Sequence, residues 1–286
     1  LVILGMHRSG TSALAGAVVR HGFSGPRTAL PGADDNPDGF YESHWVVQVN
    51  HRILLRAQCT WNLCLHFKPE TLPAGLDAPL RAEIGRILAN EFEAQPAFVV
   101  KDPRLCLTLP AWVPAFAPIG AMPVILLLAR HPVEVVRSLS VRNQQPVTES
   151  LPHWLHHMLA AEQASRGMRR AVVLYDSLLR DWRGALGLAG AVAGIAWPRP
   201  MQMAGPEVDG FLRPAARHHA VPHTARLTGC PPVDEMAHAA WEVFCALAAR
   251  PEDTGLLRVL DQIRDEFAAW RRVAVPAGFR AVLRRA

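Results

Sequence analysis

Short apolar runs alternate with longer amphipathic segments along most of this chain. Residues 2–4, 98–100, 123–128 and 171–174 are continuous apolar stretches of strand length, the pattern of strands buried on both faces. Between and beyond them lie stretches with helical character: 11–21, 45–56, 80–95, 133–141, 153–169 and 178–193. In 80–95, Ile84, Ile87, Leu88 and Phe92 recur on one face, which predicts an amphipathic helix. Residues 25–40 are rich in Pro, Gly and Asp and read as a loop. Strand alternating with helix predicts an α/β fold in three layers, a central parallel sheet flanked by helices. After Trp197 and Pro198 the pattern turns irregular, then mostly helical over 233–266. The expectation is a single domain over 1–286, with an α/β core over 1–198 and a C-terminal helical annex over 199–286.

The polar residues that follow the apolar runs change the picture from fold to chemistry. Arg8, Lys101, Arg130 and Tyr175 each fall just past the predicted end of a strand. In open α/β sheets, ligands bind outside those carboxyl ends. The first run feeds Gly5-Met6-His7-Arg8-Ser9-Gly10, and a helix opens at Thr11. Glycines that let backbone N–H groups converge, followed by a helix N-terminus, make a P-loop-like anion cradle. The Walker A pattern needs a lysine after its second glycine. Thr11 stands there, while a cation, Arg8, sits inside the loop. The loop therefore suits an anion other than a magnesium-bound nucleoside triphosphate.

Composition narrows the partners. Half of the 286 residues are apolar, and the net charge of +5 fits an anionic ligand but is too small to argue for nucleic acid. Five cysteines, with no C-x-x-C pair, suggest a reducing compartment without a disulfide framework. No apolar run reaches membrane-spanning length. The chain opens inside a predicted strand, so the lack of a leader says little, and a cytoplasmic location is the expectation. No metal is expected. Cys59 and Cys64 make a poor ligand pair, and His153, His156 and His157 read as a solvated or acceptor-facing helix face. Asp34, Asp35 and Asp38 lack the spacing of a calcium loop.

With these residues in place, the first 188 positions resemble the sulfotransferases that use 3′-phosphoadenosine 5′-phosphosulfate (PAPS). Residues Met6 to Ser12 resemble the family's 5′-phosphosulfate loop, which implies that Arg8 replaces the loop lysine and that Ser9, Gly10, Thr11 and Ser12 wrap the 5′-phosphate. Arg130 and Ser138, eight residues apart at a strand end, resemble the 3′-phosphate pair. Lys101-Asp102-Pro103 resembles the K-D-P step whose lysine contacts the moving sulfuryl group. Pro103 occupies the place of the histidine base found in cytosolic members, so the resemblance points to a carboxylate, Glu42, with His44 as the rival base. Tyr175 fits a position near adenine. The family's adenine-stacking tryptophan is Ala13 here, and its C-terminal glycine-rich loop is missing. Residues Leu212 and Arg213 through His219 are the candidate replacement.

The resemblance implies transfer of a sulfuryl group from PAPS to an acceptor hydroxyl or amine, without a metal. Glu42 would take the proton, and Lys101 and Arg8 would stabilise charge on the leaving oxygen. The acceptor would be a small molecule or glycan, with a carbohydrate or glycolipid hydroxyl first by analogy. Trp45, Trp61, Trp112 and Trp154 could stack on sugar rings or serve the core. Two alternatives stay open: a degenerate P-loop kinase, and a nucleotide-binding domain without catalysis. The oligomeric state is not legible.

Overall fold

The computed structural model describes residues 1–33, 36–72, 76–92, 95–213, 217 and 219–274. Four parallel strands form one sheet in the order β2-β1-β3-β4, with β1 at Val2–Leu4, β2 at Val100–Lys101, β3 at Ile125–Ala129 and β4 at Arg170–Leu174. Ile3 lies in register with Lys101 on one side and Leu126 on the other. The helices, in chain order, are α1 (Thr11–Arg20), α2 (His44–Arg56), α3 (Ala78–Phe92), α4 (Leu105–Phe116), α5 (Pro132–Asn143), α6 (Val147–Ala164), α7 (Tyr175–Arg180), α8 (Trp182–Ala193), α9 (Met201–Phe211), α10 (Val233–Ala249) and α11 (Thr254–Ala274).

The pleat divides the interior in two. Val2, Leu4, Ile125, Leu127 and Ala129 enter one core, and Ile3, Leu126 and Leu128 enter the other. The first core also takes the apolar faces of α2 to α6, α10 and α11. The second takes those of α1 and α7 to α9. The sheet is thus the middle of three layers in a P-loop-like α/β fold. The chain leaves β1 for one layer and β3 for the other. Neighbouring strands that send their helices to opposite faces open a crevice at their carboxyl ends.

Several elements differ from the sequence expectation. The second strand is Val100–Lys101, not 98–100, because Phe98 instead makes an isolated bridge to Ser24. Helix α6 begins at Val147, ahead of Pro152, and α4 carries Pro110 and Pro114 where no helix was expected. Proline is costly inside a helix, but these segments are buried by neighbouring layers that outweigh the local preference. The expected 178–193 helix is broken at Asp181, whose side chain caps α8 by accepting from the Gly184 N–H. The 233–266 segment is two helices, α10 and α11, separated at 250–253. Residues 201–211, expected to be irregular, are helical. His153, His156 and His157 do not form a solvated face: all three are buried, since α6 packs against α4, α5 and α10. Among the described residues, no helix is long and apolar enough to cross a membrane.

Candidate active site

The loop after β1 is shaped by close packing. Arg8 and Gly10 both take the left-handed backbone region, at φ 68° and 93°. Gly10 must be glycine, because a Cβ there would strike the ring of Tyr175. The Ser9 N–H donates to the Met6 carbonyl at 3.0 Å, tightening the turn. The Ser9 hydroxyl is buried and meets no partner in the protein. The Gly5 N–H donates to Sγ of Cys106 at 3.1 Å, and burial pushes that thiol up to about 12, so it remains neutral.

Arg130 leaves the end of β3 and is held on three sides. Its Nε donates to Glu134 at 2.8 Å, one of its terminal nitrogens donates to the Arg8 carbonyl at 2.9 Å, and its guanidinium lies 4.6 Å above the Tyr175 ring. Arg8 in turn donates from Nε to the Ser138 hydroxyl at 2.9 Å. Ser138 projects from α5 one turn past Glu134, which gives the eight-residue spacing its meaning. Arg217 closes the group, pairing with Glu134 at 2.6 Å and with Asp176. Burial raises the affinity of Glu134 for a proton, but the hydrogen bonds from Arg217 and Arg130 more than offset it and hold this carboxyl below its ordinary range.

Glu42 and Lys101 form the opposite wall. Glu42 precedes Ser43, whose hydroxyl caps α2 by accepting from the Trp45 and Val46 N–H groups at 3.2 and 3.3 Å. Lys101 is the last residue of β2. Its Nζ donates to Glu42 at 2.5 Å, to the Ser12 hydroxyl at 3.1 Å and to the Phe40 carbonyl at 3.1 Å, using all three hydrogens. Both partners are buried, with residue exposures of 3% for Lys101 and 8% for Glu42. Burial, with Asp102 nearby, raises the Glu42 carboxyl above its ordinary value even against the pull of Lys101. Behind them Asp102 accepts from Asn50 at 2.8 Å and from the Arg104 backbone and side chain at 3.0 and 2.9 Å. Asn50 accepts in turn from Thr108 and Trp112, each at 2.7 Å.

The two walls border one cavity of about 860 Å³, in the range of small-molecule sites. Arg8, Gly10, Thr11, Ser12, Glu42, Lys101, Arg130, Ser138 and Tyr175 all line it. Ser9 lies just behind, fully buried. His44 does not line it: the residue is exposed at the start of α2, and its ring meets Trp45 edge-on. Trp112 and Trp154 are core residues, whereas Trp45 is half exposed. Leu212, Arg213 and His219 reach the cavity, Arg213 pairs with Asp38 at 3.4 Å, and residues 214–216 and 218 lie outside the described set. So do Asp34 and Asp35. Cys59 and Cys64 are buried in a small apolar cluster with Leu54, Phe67 and Leu107. Among the described residues no group of three or more potential metal ligands occurs.

Sequence reasoning missed three contributors, Glu134, Asn50 and Phe211, whereas Arg217 falls within the 212–219 segment it singled out. The Arg130–Glu134 spacing of four on a helix start was a readable signal. The others come from distant segments and left none.

No protein-family model and no curated protein matches this sequence. Two sulfotransferase domains are among the solved structures similar in fold. The sulfotransferase domain from the curacin biosynthetic pathway is 16% identical, with 68% of this chain and 73% of that chain covered at a TM-score of 0.42. The sulfotransferase domain from the Synechococcus PCC 7002 olefin synthase is 14% identical, with 85% of this chain and 93% of that chain covered at a TM-score of 0.46.

Proposed function

We propose that this protein is a sulfotransferase that moves a sulfuryl group from PAPS to an acceptor hydroxyl or amine, with a carbohydrate or glycolipid hydroxyl as the acceptor class. The observation that carries the reading is the convergence, on one cavity, of an anion loop, Arg130 and Ser138 beside it and each bonded to its Arg8, and a buried carboxylate–lysine pair. Two anionic groups on one ligand need two such cradles, and PAPS has them. The Ser9–Ser12 segment is the cradle for the 5′-phosphosulfate, with Gly10, Thr11 and Ser12 facing the cavity. Arg130 and Ser138 would take the 3′-phosphate, and Tyr175 would back them.

In the reaction the acceptor oxygen attacks sulfur in line, and the sulfur–oxygen bond to the 5′-phosphate breaks. The acceptor proton goes to Glu42, whose raised proton affinity suits a general base. The electron pair stays on the phosphate oxygen, where Arg8 and Lys101 stabilise it. Lys101 makes room for a sulfuryl oxygen by giving up its contact with the Phe40 carbonyl. The chemistry needs no metal. Five free cysteines support a reducing, cytoplasmic setting.

Thermal melts test the reading. The product nucleotide, 3′-phosphoadenosine 5′-phosphate, should raise Tm, and 5′-AMP should do so far less, because binding to the native state alone stabilises it by mass action. Equal shifts would remove the 3′-phosphate assignment. A shift with magnesium-ATP larger than either would favour the kinase alternative.

A further inference from the structure

His7 lies in the anion loop but belongs to neither wall. It lines the same cavity as Glu42, Lys101 and Pro103. Its ring lies against Trp61, with centroids 4.3 Å apart, and meets His157 edge-on at 6.4 Å. Nε2 of His7 and Nε2 of His157 are both buried, and neither has a hydrogen-bond partner in the protein. Such atoms are rare enough in folded proteins to need a reason.

A chain of bonds fixes which nitrogens carry hydrogen. On α6, Nδ1 of His153 is 2.6 Å from the Glu149 carbonyl, and Nδ1 of His157 is 2.8 Å from the His153 carbonyl. A carbonyl only accepts, so both Nδ1 atoms are donors. Burial keeps both rings neutral, with His153 pushed down to about 4 and His157 to about 3. Nε2 of each is therefore a lone pair. That of His153 accepts from the Cys64 N–H at 3.3 Å. That of His157 is buried beside the His7 ring. The complementary tautomer of His7 carries its hydrogen on Nε2, which reaches His157 through one water because the two nitrogens are not in direct contact. This leaves a lone pair on Nδ1 of a ring that is fixed in place by Trp61. Burial, reinforced by Arg104 and Lys101, holds His7 uncharged.

We infer that His7, its tautomer set by His157, is an acceptor-binding residue whose Nδ1 lone pair receives a hydrogen bond from a second hydroxyl of the acceptor. The inference rests on the sulfuryl-transfer reading, in which Glu42 serves the reacting hydroxyl. A buried hydrogen-bond acceptor penalises any substrate that leaves it empty. The site therefore selects a polyol such as a sugar over an alcohol or phenol with one hydroxyl.

The test uses labelled PAPS with p-nitrophenyl galactoside and glucoside, their monodeoxy analogues, and p-nitrophenol. A glycoside should be sulfated, and p-nitrophenol should not. His7→Phe keeps a ring against Trp61 but removes both nitrogens. It should raise the glycoside KM about tenfold while kcat changes little, the loss expected for one hydrogen bond. One monodeoxy analogue should show the same loss with the wild-type protein and no further loss with His7→Phe. His157→Phe should act in the same direction. A measurement on the wild-type protein stands apart from variant folding: in imidazole nitrogen NMR spectra of the nucleotide complex, the His7 Nδ1 resonance should move when glycoside is added. An unchanged KM, an unmoved resonance, or failure of every glycoside while 3′-phosphoadenosine 5′-phosphate binds would overturn the inference. Failure of the wild-type protein to bind that nucleotide would instead overturn the sulfotransferase reading.

Discussion

The two walls of the cavity solve the problem of holding charge in opposite ways. On the Arg130 wall, Arg8, Arg130, Glu134, Arg217 and Asp176 share charge across several partners, and Arg217 and Asp176 remain partly open to solvent. On the Lys101 wall, one lysine and one carboxylate are nearly dry, and the neighbouring Asp102 is fixed by Asn50, which Trp112 holds in turn. The difference teaches where substitution is tolerated. A shared network re-pairs when one member leaves. A buried pair that loses one partner strands the other charge in a poor solvent for it.

The largest effects should come from the dry wall. Glu42→Gln keeps size and can still accept from Lys101, but it cannot take a proton. Turnover should fall about a hundred- to ten-thousandfold, and the melting temperature should fall as well, because Lys101 stays buried and charged without its counter-charge. Lys101→Met should cost about 3–5 kcal/mol of stability, because Glu42 is left buried and uncompensated. The double variant Glu42→Gln, Lys101→Met should recover much of that loss in urea unfolding. If Lys101→Met alone proved as stable as the wild-type protein, the contrast between the walls would collapse.

Arg130→Ala should strike the other wall less hard. Arg217 still pairs with Glu134, so the fold should hold. Affinity for 3′-phosphoadenosine 5′-phosphate should drop about ten- to a hundredfold, the worth of a charge-assisted contact to phosphate. Calorimetric titration reads this directly, and wild-type affinity in the variant would misplace the 3′-phosphate.

Acid sets the buried helix α6, which belongs to neither wall, against Glu134. Burial depresses His153 and His157, and also His156, below the ordinary value of 6.5. The unfolded chain therefore binds more protons between about pH 6.5 and 4, and stability is lost as pH falls through that window. Each such histidine contributes a slope of about 1.4 kcal/mol per pH unit. Glu134 is depressed from 4.5, so its contribution is present above that value and fades only below it. Melts from pH 7 to 5 should steepen before the Arg130 wall titrates, and His156→Phe should flatten the curve by one residue's share. A flat profile in the wild-type protein would contradict the neutral, buried helix.

What the sequence disclosed and what it hid follow from distance along the chain. Gly5, Arg8 and Gly10 lie within one turn of β1, and Arg130 and Ser138 within one strand–helix junction. Local spacing reports such neighbours. Glu42 was reached through family likeness, yet its 2.5 Å bond to Lys101 joins a pre-helix loop to a strand end, and no periodicity encodes that meeting. The burial of His153, His156 and His157 was misread because residue type suggests half-exposure for histidine, while the packing of α6 on three helices decides otherwise. Helix α4 was hidden by Pro110 and Pro114, which speak against a helix locally and are overruled by the core.

The contact between Gly10 and the Tyr175 ring carries a consequence for how this site comes into being. Every residue of the loop precedes Tyr175 by more than 160 positions, so the loop emerges long before that ring in synthesis. Its backbone, however, is moulded against a ring that emerges only after the last strand of the sheet. The nascent chain can therefore hold the complete motif long before it can hold the anion. Grafting the loop alone into another protein would carry the letters across without the mould.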